Sequence, residues 1–220
     1  MIKVDHVVLD YGLGNANSIA SCLRDIGCHV IISNKFDQLR SARVIYIPGV
    51  GSFNQAMSKL HQQGLVEVLT EIKNNGQTLM VGMCLGMQLF AQSSDENTYT
   101  QGLGWIPGHV KHLKERVSNQ HTLPHIGWNT LNKQVDDGLF ELISARDSFY
   151  FDHSFYFETG GQYTCARTHY GAEFAAMVKR NNVVGFQFHP EKSQQAGKRL
   201  LIGLLNSYHI DRQPIWITNE

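Results

Sequence analysis

The stretch Thr78-Leu79-Met80-Val81-Gly82-Met83-Cys84-Leu85-Gly86-Met87-Gln88 joins a short apolar run, a Gly-x-Cys-x-Gly turn and the start of a helix. A nucleophile on a strained strand-to-helix turn projects its side chain out of a sheet, and the flanking glycines relieve crowding in the turn. The helix that follows points its free N–H groups and the positive end of its dipole at the sulfur, which favours thiolate over thiol. The backbone N–H of Leu85 can donate to an oxyanion formed at the same place. A buried cysteine in a glycine-rich turn would leave the same local pattern. A base elsewhere in the chain separates the two readings.

Upstream of this turn, strand and helix patterns alternate. Val4 to Leu9 is an apolar run, followed by the loop Asp10-Tyr11-Gly12-Leu13-Gly14-Asn15. The third glycine of a dinucleotide fingerprint would fall at Asn17, so that fingerprint fails. Ile19, Cys22, Leu23 and Ile26 have helical spacing, closed by Gly27. His29 to Ser33 and Val44 to Ile47 read as strands. The latter runs into Pro48-Gly49-Val50-Gly51, flexible backbone that can turn an N–H toward a ligand. Phe53, Ala56, Met57 and Leu60 make a helix up to Gly64, and Leu65, Val68, Leu69 and Ile72 make another up to Gly76. The alternation predicts an α/β fold with a mostly parallel central sheet, helices on both faces, and function at the C-terminal strand ends.

Downstream the pattern changes to short strands and loops. Gly108–Leu113, His125–Leu131, Phe149–Phe157, Gln162–Thr168, Phe174–Lys179 and Val183–Phe188 read as strands. Phe149, Phe151, Phe155 and Phe157 recur with period two. Short connections predict antiparallel additions to the sheet. A last helix carries Leu200, Leu201, Leu204 and Leu205. With no Pro-, Ser- or Gly-rich linker and no repeat, residues 1–220 read as a single domain.

The base lies in Phe186-Gln187-Phe188-His189-Pro190-Glu191. Pro190 ends the strand ladder and leaves His189 at a strand tip. Glu191, two residues on, can hold the imidazole in one tautomer. Cys84, His189 and Glu191 are the parts of a nucleophilic triad.

Composition narrows the class further. The 220 residues carry 19 acidic and 19 basic side chains and 42 % hydrophobic residues, so a sizeable core forms and no polyanion-binding surface is indicated. Nucleic acid and membrane are not expected partners, since no apolar run nears the roughly 20 residues of a membrane span. No signal-peptide pattern is read at the N-terminus, which points to the cytoplasm. Cys22, Cys28, Cys84 and Cys165 form no C-x-x-C or finger spacing, as fits a reducing compartment. His109 with His112, and His121 with His125, lack a third ligand nearby, so no metal site is expected, and no cofactor.

Gly-Met-Cys-Leu-Gly-Met-Gln at 82–88 with Phe-His-Pro-Glu-Lys-Ser at 188–193 resembles the class I (triad) glutamine amidotransferases. Asp-Tyr-Gly-Leu-Gly-Asn at 10–15, Pro-Gly-Val-Gly at 48–51, Gly-Leu-Gly-Trp-Ile-Pro-Gly at 102–108, Pro-His-Ile-Gly-Trp-Asn at 124–129 and Tyr-Phe-Asp-His-Ser at 150–154 are similar to the glutaminase subunits of imidazole glycerol phosphate synthases. The resemblance implies a flavodoxin-like three-layer sandwich. It implies attack by Cys84 on the side-chain amide of L-glutamine, with His189 as base and Glu191 as its orienter. It further implies an oxyanion hole from Gly51 and Leu85, and a glutamine site from Gly49, Val50, Gln88, His153 and Ser154. Asn15, Trp128, Tyr150 and Lys192 match positions that face a (β/α)8-barrel cyclase, to which ammonia passes in histidine biosynthesis. Asp152, Phe155 and Met83 depart from the residues common in that family. They leave the hydrolysis reading intact and keep open, as an alternative, a paralogue feeding ammonia to a nucleotide-sugar-modifying synthase. A free-standing Cys-His-Glu hydrolase is a separate, weaker reading, against which the oxyanion-loop, Trp128 and Lys192 matches stand.

Overall fold

The computed structural model describes residues 5–118 and 120–212. The first half alternates as its periodicity predicts. β1 (His6–Leu9), α1 (Ala16–Asp25), β2 (Val30–Ser33), α2 (Phe36–Ser41), β3 (Val44–Ile47), α3 (Phe53–Gln62), α4 (Leu65–Asn75) and β4 (Leu79–Met83) follow in order. The expected first strand included Val4, which lies outside the described residues. The short helix α2 was not foreseen, because six residues with one buried side chain, Leu39, carry too little periodicity.

One turn of helix, α5 (Leu85–Gln88), follows the cysteine. The second half then builds β5 (Ser93–Ser94), β6 (Thr100–Gln101), β7 (Gly108–His112), β8 (His125–Thr130), β9 (Asn132–Lys133), β10 (Ser148–His153), β11 (Phe155–Thr159), β12 (Thr164–Tyr170), β13 (Ala172–Arg180) and β14 (Val183–Phe186). Helix α6 (Gln194–Ser207) closes the fold.

The main sheet has the order β2-β1-β3-β4-β14-β13-β12-β9. β1 is parallel to β2 and β3, and β3 is parallel to β4. β13, β12 and β9 add antiparallel strands, as expected for the second half. β14 departs from that expectation. It runs antiparallel to β13 yet parallel to β4, with Gly185 opposite Gly82 and Phe186 opposite Met83. The chain thus returns to the middle of the sheet.

Alternate strand residues face two separate cores. Val8, Val44, Tyr46, Val81 and Phe186 pack with Ile19 and Leu23 of α1 and Leu200, Leu201 and Leu204 of α6. Val7, Leu9, Ile45, Ile47 and Met80 pack with Met57 and Leu60 of α3 and Leu65, Leu69 and Ile72 of α4. The result is a three-layer sandwich. Each fully buried Leu or Ile contributes about 1.5–3 kcal/mol of transfer free energy, so helix position follows from the apolar stripe of each helix.

The period-two run at 149–157 does not form one strand. It breaks at Ser154, whose carbonyl accepts from the Leu113 N–H at 2.8 Å. β10 pairs with β8 in a two-stranded sheet, while β11 joins β7, β5 and β6 in a four-stranded one. Changing sheets at Ser154 turns the chain past the C-terminal end of β4.

Candidate active site

Cys84 follows β4 directly, at φ 53° and ψ −110°. Non-glycine residues in such sparsely populated regions cost on the order of 1–3 kcal/mol and persist only where neighbours over-determine them. Here the Cys84 N–H donates to Phe186 O at 2.7 Å, and its carbonyl accepts from Met87 N and Gln88 N. A Cβ on Gly86 would collide with the main-chain oxygen of Ile47. The elbow therefore closes against the end of β3 only because position 86 lacks a side chain. The helix after it corrects one expectation. Four residues of α5 align too few peptide dipoles to supply the expected dipole effect on the sulfur.

His189 reaches the same point from the neighbouring strand. Beyond β14, its N–H donates to Tyr150 O at 2.9 Å, and its carbonyl accepts from Ser193 Oγ at 2.6 Å. Ser193 Oγ also accepts from Tyr150 N at 3.0 Å. A clamp of three bonds thus fixes the His189 backbone to β10.

The His189 Nδ1–H donates to Glu191 Oε1 at 2.8 Å, both side chains being almost fully buried. That bond leaves Nε2 for the Cys84 sulfur. Burial disfavours the imidazolium, but the sulfur and the Glu191 carboxylate outweigh it and raise the His189 pKa to about 10. The other thiols lack such a neighbour. Burial pushes Cys22 and Cys165 up to about 11 and Cys28 to about 12, so they stay protonated and inert.

An open cleft of about 340 Å³ lies over the sulfur. Gly49, Val50 and Gly51 line one side, Leu85 and Gln88 the floor, and His153 and Ser154 the far wall. The predicted oxyanion and substrate residues are therefore gathered in one place. His153 contributes differently than expected. Its Nδ1–H donates to Phe155 O at 2.8 Å and its Nε2 faces His125 Nδ1 at 3.1 Å, so both ring nitrogens are occupied. Burial holds His153 near pKa 3 and His125 near 4, so both rings are neutral at pH 7.

The positions expected to face a partner form a surface cluster beside the cleft. Lys192 Nζ sits 5.5 Å above the Tyr150 ring, and Tyr150 meets Trp128 edge-on at 6.0 Å. Trp128 is 48 % exposed, with Ile126 (58 %) on the same strand face and Val50 (46 %) on the glycine loop. Asn15 is exposed near this cluster, but its Oδ1 is spent accepting from Ser18 N as the cap of α1.

Sequence reading missed Glu96 and Gln187. Glu96 lines the cleft and accepts from Phe53 N at 2.8 Å. It lies in a loop with no periodicity to mark it. Gln187, by contrast, is the one polar residue in Val183-Val184-Gly185-Phe186-Gln187-Phe188 and is fully buried. That break in an apolar run was a visible signal. Among the described residues, no group of three or more His, Cys, Asp or Glu could hold a metal ion, and no helix is long and apolar enough to cross a membrane.

A family model for glutamine amidotransferase class-I matches residues 7–204. The chain belongs to that family and is a glutamine-hydrolysing enzyme. It is similar to the imidazole glycerol phosphate synthase subunit HisH 2 of Vibrio vulnificus, at 41 % identity over 94 % of this chain and 96 % of the relative. It is also similar to subunit HisH of Archaeoglobus fulgidus, at 35 % identity over 90 % of this chain and 96 % of that one. Among solved structures, PurLQS from Thermotoga maritima shares the fold, with TM-score 0.72 at 18 % identity over 93 % of this chain and 99 % of that one. A crystal structure of a glutamine amidotransferase superposes with TM-score 0.73 at 17 % identity, over 93 % of this chain and 99 % of that one.

Proposed function

We propose that the chain is the glutaminase subunit of an imidazole glycerol phosphate synthase in the cytoplasm, a single domain that supplies ammonia to a (β/α)8-barrel cyclase for histidine biosynthesis. The observation that carries the chemistry is the Cys84 elbow beside the 2.8 Å His189–Glu191 pair. The similarity to HisH subunits over nearly the whole chain supports the pathway.

In this reading Cys84 attacks the side-chain carbonyl carbon of glutamine while His189 Nε2 takes the thiol proton. The oxyanion that forms is met by the N–H groups of Leu85 and Gly51. His189 then passes its proton to the leaving nitrogen, and ammonia departs from a glutamyl thioester. Water, deprotonated by His189, cleaves the thioester and releases glutamate. Glu191 holds the imidazolium throughout. Gln88 and the backbone at 153–154 hold the amino-acid end of the substrate. Glu96, on the cleft wall, suits the α-ammonium group.

The glycine loop carries the regulation we propose. Gly51 has φ +97°, and Val50 beside it is exposed, so a partner seated over Val50 can reorient the 49–51 peptides toward the oxyanion. The exposed apolar cluster of Val50, Ile126 and Trp128 fits such a partner. The test is glutamine hydrolysis by the purified chain, alone and then with the cyclase and its ribonucleotide ligand. A low basal rate that rises steeply on addition is expected. No stimulation by that partner overturns the pathway, and a high rate without it overturns dependence on a partner.

A further inference from the structure

The sulfur of Cys84 has two further polar neighbours besides His189. Gln187, fully buried behind the elbow, places Nε2 3.9 Å from Cys84 Sγ. The orientation of that amide is determined by its surroundings. Gln88 Nε2 donates to the main-chain oxygen of Phe155 at 2.9 Å, and a carbonyl oxygen can only accept. The same Nε2 donates to Gln187 Oε1 at 3.1 Å. Gln187 must therefore present its oxygen to Gln88 and its N–H groups toward the sulfur.

A main-chain neighbour of the sulfur acts in the opposite sense. Asp152 O lies 3.8 Å from Sγ and can accept the thiol proton. When that proton leaves for His189, the carbonyl faces a negative sulfur and the contact turns repulsive. An N–H donor behaves the other way, gaining strength as its acceptor becomes an anion. The single turn of α5 supplies little dipole to help. A fully buried amide with its N–H toward the nucleophile is thus placed where ionisation creates a need.

We propose that Gln187 is a positioning residue that stabilises the Cys84 thiolate, with Gln88 aiming its amide. The proposal rests on Cys84 being the nucleophile. It also links the sulfur to the substrate wall. The chain of bonds runs from Phe155 O through Gln88 and Gln187 to Sγ, so a ligand that pulls on Gln88 changes the donor at the nucleophile. The ionisable groups around the sulfur are His189 with Glu191, and Tyr11, whose hydroxyl donates to Pro48 O at 2.7 Å. Asp152, His153, Glu96 and Lys192 complete them along the cleft.

The experiment follows alkylation of Cys84 by iodoacetamide against pH in the full chain, read by peptide mass spectrometry so that the three buried thiols do not interfere. No glutamine is needed. Gln187→Met keeps the volume and removes the N–H. Gln187→Glu keeps an acceptor for Gln88 but directs a carboxylate at the sulfur. In both, the midpoint of the alkylation profile moves up by about one pH unit, the shift of a lost charge-assisted bond. The kcat for glutamine falls about tenfold or more at pH 7, with a smaller change in KM. A lower Tm with an unmoved midpoint in both variants means a structural role only and overturns the proposal. Full hydrolysis by Cys84→Ala would instead overturn the nucleophile assignment, an outcome separable from the first.

Discussion

The two halves of the molecule reach the same cleft by different physics. Residues 5–92 bury strands on both faces, between α1 on one side and α3 and α4 on the other. Their loops emerge together at the C-terminal edge because the strands are parallel. Residues 93–193 form two small sheets and extend the main one with mostly antiparallel strands, and some, such as β10, bury only every second residue. In the proposed mechanism the first half supplies the nucleophile Cys84, and the second the base His189 and much of the substrate wall. What joins them is β14, seated parallel beside β4 so that the Cys84 and His189 strand tips are neighbours. A site shared in this way is sensitive to the seam between the halves as well as to its reacting groups.

The largest effects break the shared site without disturbing either half. Cys84→Ala and His189→Ala each lower kcat for glutamine by about 10⁴-fold or more, while far-ultraviolet circular dichroism stays that of the unmodified chain. Residual ammonia release near the unmodified rate, measured by coupled glutamate dehydrogenase, would refute the triad.

Next in size are substitutions at the seam. Gly86→Ala drives a Cβ into Ile47 O, and Gly197→Ala drives one into Pro190 O, where α6 packs against the turn after His189. Each should destabilise by about 4 kcal/mol or more, because main-chain atoms cannot give way as a flexible side chain can. If the halves are equally rigid, urea midpoints fall alike. A smaller loss for Gly197→Ala would identify the base side as the more yielding.

This contrast also explains what was legible in the residues themselves. Phe53, Met57 and Leu60 or Leu65, Leu69 and Ile72 announce their helices, because burial on one stripe imposes a 3.6-residue period. The elbow was legible because crowding demands glycines at fixed offsets from Cys84. The break at Ser154 was not, since Phe149 to Phe157 keeps period two on either side of a change of sheet. The position of β14 was also hidden: a short apolar strand reads the same whether its neighbour is parallel or antiparallel. His189 could be named as a base from its strand-tip setting, whereas Glu96 depends on a loop conformation that no local pattern encodes.

Acid separates the halves by a smaller margin. Burial holds His125 near pKa 4 and His153 near 3, and His6 in β1 near 4, all below the ordinary 6.5. A lowered histidine pKa means the unfolded chain binds the proton more readily. The contribution of these three rings to stability is therefore full above pH 6.5 and falls as pH drops toward 4. The Tm should fall by about 5–10 °C between pH 6.5 and 5. Protonating His153 removes its Nε2 as the acceptor of the 3.1 Å contact from His125 Nδ1–H. The β8–β10 pair should therefore lose hydrogen-exchange protection at pH 5 before β1 does. Simultaneous loss would show that the halves unfold as one unit.

The finest test concerns the clamp between strand and base. Ser193 Oγ donates to His189 O and accepts from Tyr150 N, so it ties the His189 backbone to β10 with one hydroxyl. Ser193→Ala leaves the Tyr150 N–H without this partner but keeps the direct His189 N–H to Tyr150 O bond. The cost to stability should be about 2 kcal/mol, that of two ordinary hydrogen bonds. Activity should suffer as well, with kcat down about tenfold, because small displacements of a base are expensive. Ser193→Thr, which keeps the hydroxyl, should recover most of kcat if the pocket around this buried position admits the methyl group. Equal kcat in the serine and alanine enzymes would mean that the remaining backbone bond alone positions His189, and that the second half holds its base more firmly than this hydroxyl suggests.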